Sequence, residues 1–183
     1  MNSIIIEFQS DCLNINNSTT ILIRKALFIS HKLKLNQFIE WLENELNGYK
    51  SKETIPMYRK VNESLKAWNQ FYGYLPIVFQ EKNIAQTISE ELIGQSIPEL
   101  ESLIKSQNHQ LEIPLPYELE KLVMKAIDYE SKPTRIISKS SIVNIIEIVK
   151  NNLLTWSLNL EKEGILGSNM TFNDTDFNKA KGI

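Results

Sequence analysis

Residues 140–167 have the sequence SSIVNIIEIVKNNLLTWSLNLEKEGILG, and this stretch decides the fold. Its apolar residues recur at alternating steps of four and three, the repeat of one face of an α-helix. The members of this stripe are Ile142, Ile146, Val149, Leu153, Trp156 and Leu160. Further apolar residues outside the stripe make the surface broader than the seam of a two-stranded coiled coil. We therefore expect a long helix at the centre of a helical bundle. Dimerisation through this helix is a secondary possibility.

Both ends of this helix can be predicted from single residues. Ser138 or Ser140 can cap its start, because a serine hydroxyl accepts from the backbone N–H groups of a first turn. Gly164 can adopt the left-handed conformation after its last turn, and Ile165 can then fold back onto Leu160 as in a Schellman motif.

Shorter amphipathic stretches precede the long helix. Three successive stripes in the first third predict helices joined by short connections, with Ser18 capping the second and Gly48 ending the third. The stripes are Ile5, Phe8, Cys12 and Ile15; Leu22, Ala26, Ile29 and Leu33; Phe38, Trp41, Leu42 and Leu46. Further helices are predicted at about 83–92, after a capping box formed by Ser96 and Glu99, and from Pro116 onward. That last helix is expected to bury Leu119, Leu122, Val123 and Ala126.

The remaining apolar stretches predict a small β element. Candidate strands are Met57–Val61, Tyr74–Phe79, Pro133–Ser138 and an extended segment at 110–115. The predicted fold class is α+β, mainly α, with two to four short strands around the helical bundle. We expect residues 1–167 to form one domain and residues 168–183 to form a polar tail, or a linker to a further segment.

Composition excludes several classes of protein. The chain has 183 residues, a net charge of −2 and 42% hydrophobic residues, typical of an ordinary globular protein. Its single cysteine, Cys12, cannot form an intrachain disulfide, and no apolar run is long enough to span a membrane. With His31 and His109 as the only histidines and no nucleotide-binding or nucleophile-elbow motif, we predict no metal and no cofactor, and these features disfavour a common enzyme class without deciding whether the chain is an enzyme. A cytoplasmic location fits these features.

Carboxylates cluster on the third and the last predicted helices, where a solvated face is the main interpretation and a divalent-ion or acid–base site is the alternative. Glu45 differs because it lies beside the apolar stripe of its helix. If Glu45 is buried, it needs a cationic or hydrogen-bonding partner.

Residues 49–74 interleave cations with aromatic residues and contain only two carboxylates, Glu53 and Glu63. Such a mixture suits stacking on nucleobases with contacts to phosphates, or binding to an anionic protein. The alternative is that the aromatic residues are structural and the cations keep the surface soluble. The candidate partner-binding residues are Tyr49, Arg59, Lys60, Lys66, Trp68 and Tyr72.

Three stretches resemble the AbiTii family of bacterial abortive-infection proteins, the second component of the AbiT phage-defence system. They are WLENELNGY at 41–49, QSIPELE at 95–101, and 149–167, which begins VKN and ends LEKEGILG. The resemblance implies a role in phage defence together with a second protein, and it brings no catalytic residues. Its motif residues also have structural explanations as core aromatics, helix stops and caps; they are Trp41, Glu45, Gly48, Ser96, Glu99, Trp156, Gly164 and Gly167.

Three functional hypotheses follow. The first is an interaction or sensing module that binds a second defence protein, with a homodimer as a further option. The alternative is a toxin effector with nuclease-type activity, which would use acidic residues and the basic segment on nucleic acid. The third is a domain that targets an effector joined after Ser168.

Overall fold

The computed structural model describes residues 3–63, 65–79, 88–106, 111–127, 131–168, 171–180 and 182. The helices are α1 (Ile4–Leu13), α2 (Thr19–Leu33), α3 (Asn36–Asn47), α4 (Ile97–Lys105), α5 (Tyr117–Ile127), α6 (Lys139–Lys162) and α7 (Asp174–Ala180). The strands are β1 (Lys60–Asn62), β2 (Leu65–Asn69), β3 (Gly73–Pro76), β4 (Glu90–Leu92), β5 (Leu111–Pro114) and β6 (Pro133–Ile137). The mainly helical α+β class predicted from the sequence is confirmed.

The chain divides into two compact units, each assembled from separate segments. The first comprises Met1–Ser51, Gln95–Ser102 and Asn144–Ile183, and the second comprises Lys52–Gly94 and Leu103–Val143. The prediction of one domain over residues 1–167 stays a prediction.

Aromatic packing organises the core of the first unit. Trp156 packs edge-to-face against Phe8, with ring centroids 5.9 Å apart, and stacks on Phe38 at 4.5 Å. Phe38 stacks in turn on Trp41 at 5.1 Å. Every member of the predicted α6 stripe is buried, so the helix and its inward face are confirmed.

Both predicted ends of α6 are present. The Ser138 hydroxyl accepts a hydrogen bond from the Ser141 N–H at 3.2 Å, which makes Ser138 the cap. Gly164 has φ +74°, its N–H donates to the Glu161 carbonyl at 2.8 Å, and the Ile165 N–H donates to the Leu160 carbonyl at 2.9 Å. These two bonds define a Schellman motif.

Two further local predictions concern α3 and α4. At the start of α4, the Ser96 N–H donates to Glu99 Oε2 at 2.8 Å and the Glu99 N–H donates to the Ser96 hydroxyl at 3.3 Å, which is the predicted capping box. On α3, Glu45 is fully buried and accepts a hydrogen bond from the Tyr49 hydroxyl at 2.6 Å. Glu45 thus has the hydrogen-bonding partner that its burial requires, and α3 ends before Gly48.

The second unit contains two antiparallel sheets. Four strands lie in the order β3-β2-β6-β5, and β1 pairs with β4. A hydrophobic cluster packs beside them, formed by Leu65, Ile88, Leu115 and Val123. Arg135 on β6 is also buried; its Nη1 lies 2.5 Å from Glu91 Oε2, and its Nη2 donates to the Ile88 carbonyl.

The structure corrects several predicted strands and helices. Residues 57–59 form a 3-10 turn, and the strand begins at Lys60, where pairing with Leu92 begins. The strand predicted at Tyr74–Phe79 is shorter and ends at Pro76, although the Ile77 N–H still donates a hydrogen bond to the Leu65 carbonyl at 2.8 Å. In the helix predicted at about 83–92, residues 88–89 are helical, residues 90–92 form β4 instead, and residues 83–87 lie outside the described part of the chain.

Two corrections concern side chains and the last segment. Leu122 on α5 is exposed rather than buried, and the side chain of Ala126 lies outside the description. The segment expected to be a polar tail contains α7, which Asn173 and Asp176 cap through reciprocal bonds of 2.9 and 3.0 Å. The composition of the segment did not indicate this helix because its caps are themselves polar.

Candidate partner-binding surface

The β2–β3 hairpin is held in shape by its own turn and register. Antiparallel pairing places Trp68 opposite Tyr74 and Asn69 opposite Gly73. The Asn69 side-chain oxygen accepts hydrogen bonds from the N–H groups of Phe71 at 2.9 Å and Tyr72 at 3.1 Å. Such a bonded asparagine fixes a tight turn, because its side chain replaces a backbone acceptor.

Large aromatic side chains project from this hairpin into solvent. Phe71 and Tyr72 at the turn are each 78% exposed, and Trp68 on β2 is 54% exposed. The Trp68 and Tyr74 rings meet edge-to-face with centroids 5.1 Å apart. We call the side chains of Trp68, Phe71, Tyr72 and Tyr74 the aromatic hairpin surface.

Alternation along β2 explains why Trp68 is exposed. Leu65 and Ala67 are buried on one face of the sheet, so Lys66 and Trp68 point to the other face. Because the hairpin continues into β3, Tyr74 lies on the same face as Trp68. Pairing within the sheet therefore fixes the backbone positions from which Trp68 and Tyr74 project.

Tyr74 also links the two edges of the four-stranded sheet. Its hydroxyl donates to Glu112 Oε2 on β5 at 3.1 Å, although β3 and β5 are the two outer strands. Burial, the hydrogen bond to Glu112 and the charge of that carboxylate raise the pKa of Tyr74 above its ordinary value. The phenol is therefore protonated at neutral pH and can donate this bond.

The six candidate residues belong to different elements of the structure. Lys66, Trp68 and Tyr72 lie on the hairpin. Tyr49 belongs to the other compact unit and bonds to Glu45. Arg59 is completely buried, with Nη1 donating to the Ile93 carbonyl at 2.9 Å, so its position in the interior corrects the expectation of a surface residue.

The basic character of this region is also weaker than the sequence indicated. Lys60 Nζ lies 2.7 Å from Glu90 Oε2, and Lys52 Nζ lies 2.8 Å from Glu91 Oε1. These carboxylates lie on β4, which pairs with β1, and they are 30 and 39 residues away from Lys60 and Lys52 in the sequence. Each of these two cations therefore faces a carboxylate that a count over residues 49–74 does not include.

Sequence reasoning missed three parts of this surface. Phe71, one of the aromatic residues within 49–74, is not among the candidates, and neither are Asn69 and Glu112. The spacing of Asn69 and Gly73 around the turn is a signal that could have indicated the hairpin. Nothing local connects Glu112 to Tyr74, because their contact depends on the order of the strands.

The described residues contain no group of three or more His, Cys, Asp or Glu side chains placed to hold a metal ion. Within the same residues, every helix is either too short or too polar to cross a bilayer.

The fold and the surface together define a mainly helical α+β protein that presents an aromatic β-hairpin to solvent. A family model described as AbiTii matches residues 3–183. The chain therefore belongs to the AbiTii family and is a component of abortive-infection defence against phage. The match continues through the segment after Gly167. Comparison with curated proteins and with solved structures gave no match in either set.

Proposed function

We propose that this chain is an interaction module of an abortive-infection system and binds a second defence protein through the aromatic hairpin surface. The observation that carries the proposal is the exposure of Trp68, Phe71 and Tyr72 on one hairpin. Exposed apolar patches of this kind mark interaction sites, because hydrated aromatic surface gains free energy when a partner covers it.

Aromatic side chains are also the residue type that contributes most to protein interfaces. Tryptophan and tyrosine bury a large area, retain a polar atom for a hydrogen bond, and have few rotatable bonds to immobilise. The hydrogen bonds between Asn69 and the turn also favour binding, because a prearranged loop loses less conformational entropy when a partner binds. The partner expected from this chemistry offers an apolar pocket.

Lys66 lies on the same face of β2 as Trp68, near the carboxylate of Glu63. The neighbouring lysines Lys52 and Lys60 are paired with carboxylates. This near balance of charge favours a protein partner over nucleic acid, whose binding depends on several cations that neutralise phosphates.

A plaque assay tests the proposal in cells. Trp68→Ser, Phe71→Ser and Tyr72→Ser are combined in one variant and expressed with the neighbouring gene in a phage-sensitive host. We expect protection to be lost while the melting temperature of the purified variant stays near that of the wild type, because these side chains are exposed.

Leu122→Ser is the matched control, since Leu122 is an exposed apolar residue of the same unit but lies on α5. Protection should survive this change. Full protection by the triple hairpin variant would contradict the proposal.

The alternative function, a nuclease-type toxin, has no specific support from the described side chains. Incubation of the purified chain with RNA and DNA in magnesium or manganese tests it directly. Cleavage that persists in the triple hairpin variant would favour this alternative.

A further inference from the structure

A second surface lies in the first unit, between the antiparallel helices α1 and α2. It is a groove of about 320 Å³ whose floor and sides are mostly apolar. Ile21 and Phe28, both on α2, are 45% and 44% exposed along it. These side chains remain partly hydrated, so a partner that covered them would gain hydrophobic free energy.

The two walls of the groove carry opposite charges. Glu7 and Asp11 lie on α1, and Arg24 and Lys25 lie on α2. Asp11 and Lys25 pair with each other across the groove at 2.5 Å. Within the described part of the chain, the side chains of Glu7 and Arg24 have no hydrogen-bond or ion-pair partner.

We propose that this groove is the interface for a second copy of the chain. Around a two-fold axis, the α1 wall of one copy lies against the α2 wall of the other, so Glu7 of each copy faces Arg24 of its neighbour. Such a contact is isologous, because the same patch serves on both sides. It also covers Ile21 and Phe28 of both copies.

The distribution of charge favours a second copy over other occupants. A basic peptide would match the α1 wall but would meet Arg24 and Lys25 on the other side. An acidic peptide would match the α2 wall but would meet Glu7 and Asp11 on the α1 side. A surface with one acidic and one basic wall fits a partner with the same arrangement, and another copy of the chain provides it.

This self-association is independent of the proposed hairpin interaction. The groove is formed by α1 and α2 of the first unit, whereas the aromatic hairpin belongs to the second. Failure of one proposal therefore leaves the other intact.

Charge exchange tests the interface. The molar mass of the wild type, Glu7→Arg and Arg24→Glu is measured by size-exclusion chromatography with light scattering over a range of concentrations. We expect a dimer for the wild type. Each single variant should dissociate about a hundredfold more readily, because two-fold symmetry creates two like-charged contacts from one substitution.

Mixing the two variants provides the decisive measurement. In a heterodimer of Glu7→Arg with Arg24→Glu, the introduced arginine faces the introduced glutamate, and the second contact is the native pair. An equimolar mixture should therefore recover a dimer. Glu43→Arg is the matched control, because it makes the same change in charge at an exposed position on α3 and should leave the wild-type dimer unchanged.

Three results would overturn the proposal. They are a wild type that is monomeric at the highest concentration, single variants that dimerise as tightly as the wild type, and a mixture that stays monomeric. If the wild type is monomeric while both single variants lose phage protection, the groove binds another protein instead.

Discussion

Gly167→Ala should be among the most damaging single-methyl changes in this chain. Gly167 has φ +62°, a conformation that costs an alanine about 1 to 2 kcal/mol. The added Cβ would lie 2.7 Å from Ile4 Cγ2 and 2.8 Å from Phe172 Cε1. Both distances are shorter than real carbon contacts, so these neighbours must move.

The surrounding backbone limits that movement. The carbonyl of the preceding residue, Leu166, accepts hydrogen bonds from the Ser3 hydroxyl at 2.7 Å and from the Ile5 N–H at 3.3 Å. Crowding of this kind in a packed region costs about 1 to 3 kcal/mol. Combining strain and crowding, we expect Gly167→Ala to lower the free energy of unfolding by about 2 to 5 kcal/mol.

Gly164→Ala separates the two contributions. Gly164 also has a positive φ, +74°, but its added Cβ would meet only Lys179 Nζ, at 3.7 Å, which is an ordinary contact distance. The expected loss is therefore the conformational part alone, about 1 to 2 kcal/mol. Urea unfolding followed by circular dichroism measures both variants. An equal loss for the two, or no loss for Gly167→Ala, would refute the crowding argument.

Two further predictions concern caps. Ser96→Ala should lower the free energy of unfolding by about 1 kcal/mol, because the α4 capping box loses its acceptor; an unchanged urea midpoint would contradict this. Glu63→Gln should make the free energy of unfolding less dependent on pH in the acidic range. Burial alone would raise the pKa of Glu63, but hydrogen bonds from Ser141 and Ser138 and the nearby Lys66 cation lower it below the ordinary value of 4.5. A lowered pKa contributes stability above pH 4.5 that is lost as the pH falls through the folded-state pKa. The difference in the free energy of unfolding between wild type and Glu63→Gln should accordingly become smaller below pH 4.5. A difference that stays constant with pH would contradict the lowered pKa of Glu63.

The features that the sequence predicted well depend on neighbouring residues. Successive members of the α6 stripe are three or four positions apart, and the hydrogen bonds of its Schellman end and of the Ser96 box join residues at most five positions apart. Their hydrogen bonds and packing directions follow from the helical repeat, so the pattern of residue types is sufficient.

The features that the sequence pattern did not predict depend on contacts between segments that are distant along the chain. Strand β4 exists because Glu90–Leu92 pairs with β1, and Arg59 is buried because its guanidinium reaches the Ile93 carbonyl. The exposed Leu122 shows the converse, since an apolar residue at a helical spacing need not face the core. For the candidate surface, residue type indicated Trp68 and Tyr72, but only the hairpin register places them beside Tyr74.

The most direct test of the central claim is the affinity of the chain for the product of its neighbouring gene. Both proteins are purified and titrated calorimetrically, first with the wild type and then with Trp68→Ser, with Leu122→Ser as the control. Exposed aromatic anchors contribute about 2 kcal/mol or more, so the account predicts that Trp68→Ser weakens binding about thirtyfold while Leu122→Ser binds like the wild type. Equal affinities for the wild type and Trp68→Ser, or no binding by the wild type, would contradict the claim that the aromatic hairpin surface recruits a second defence protein.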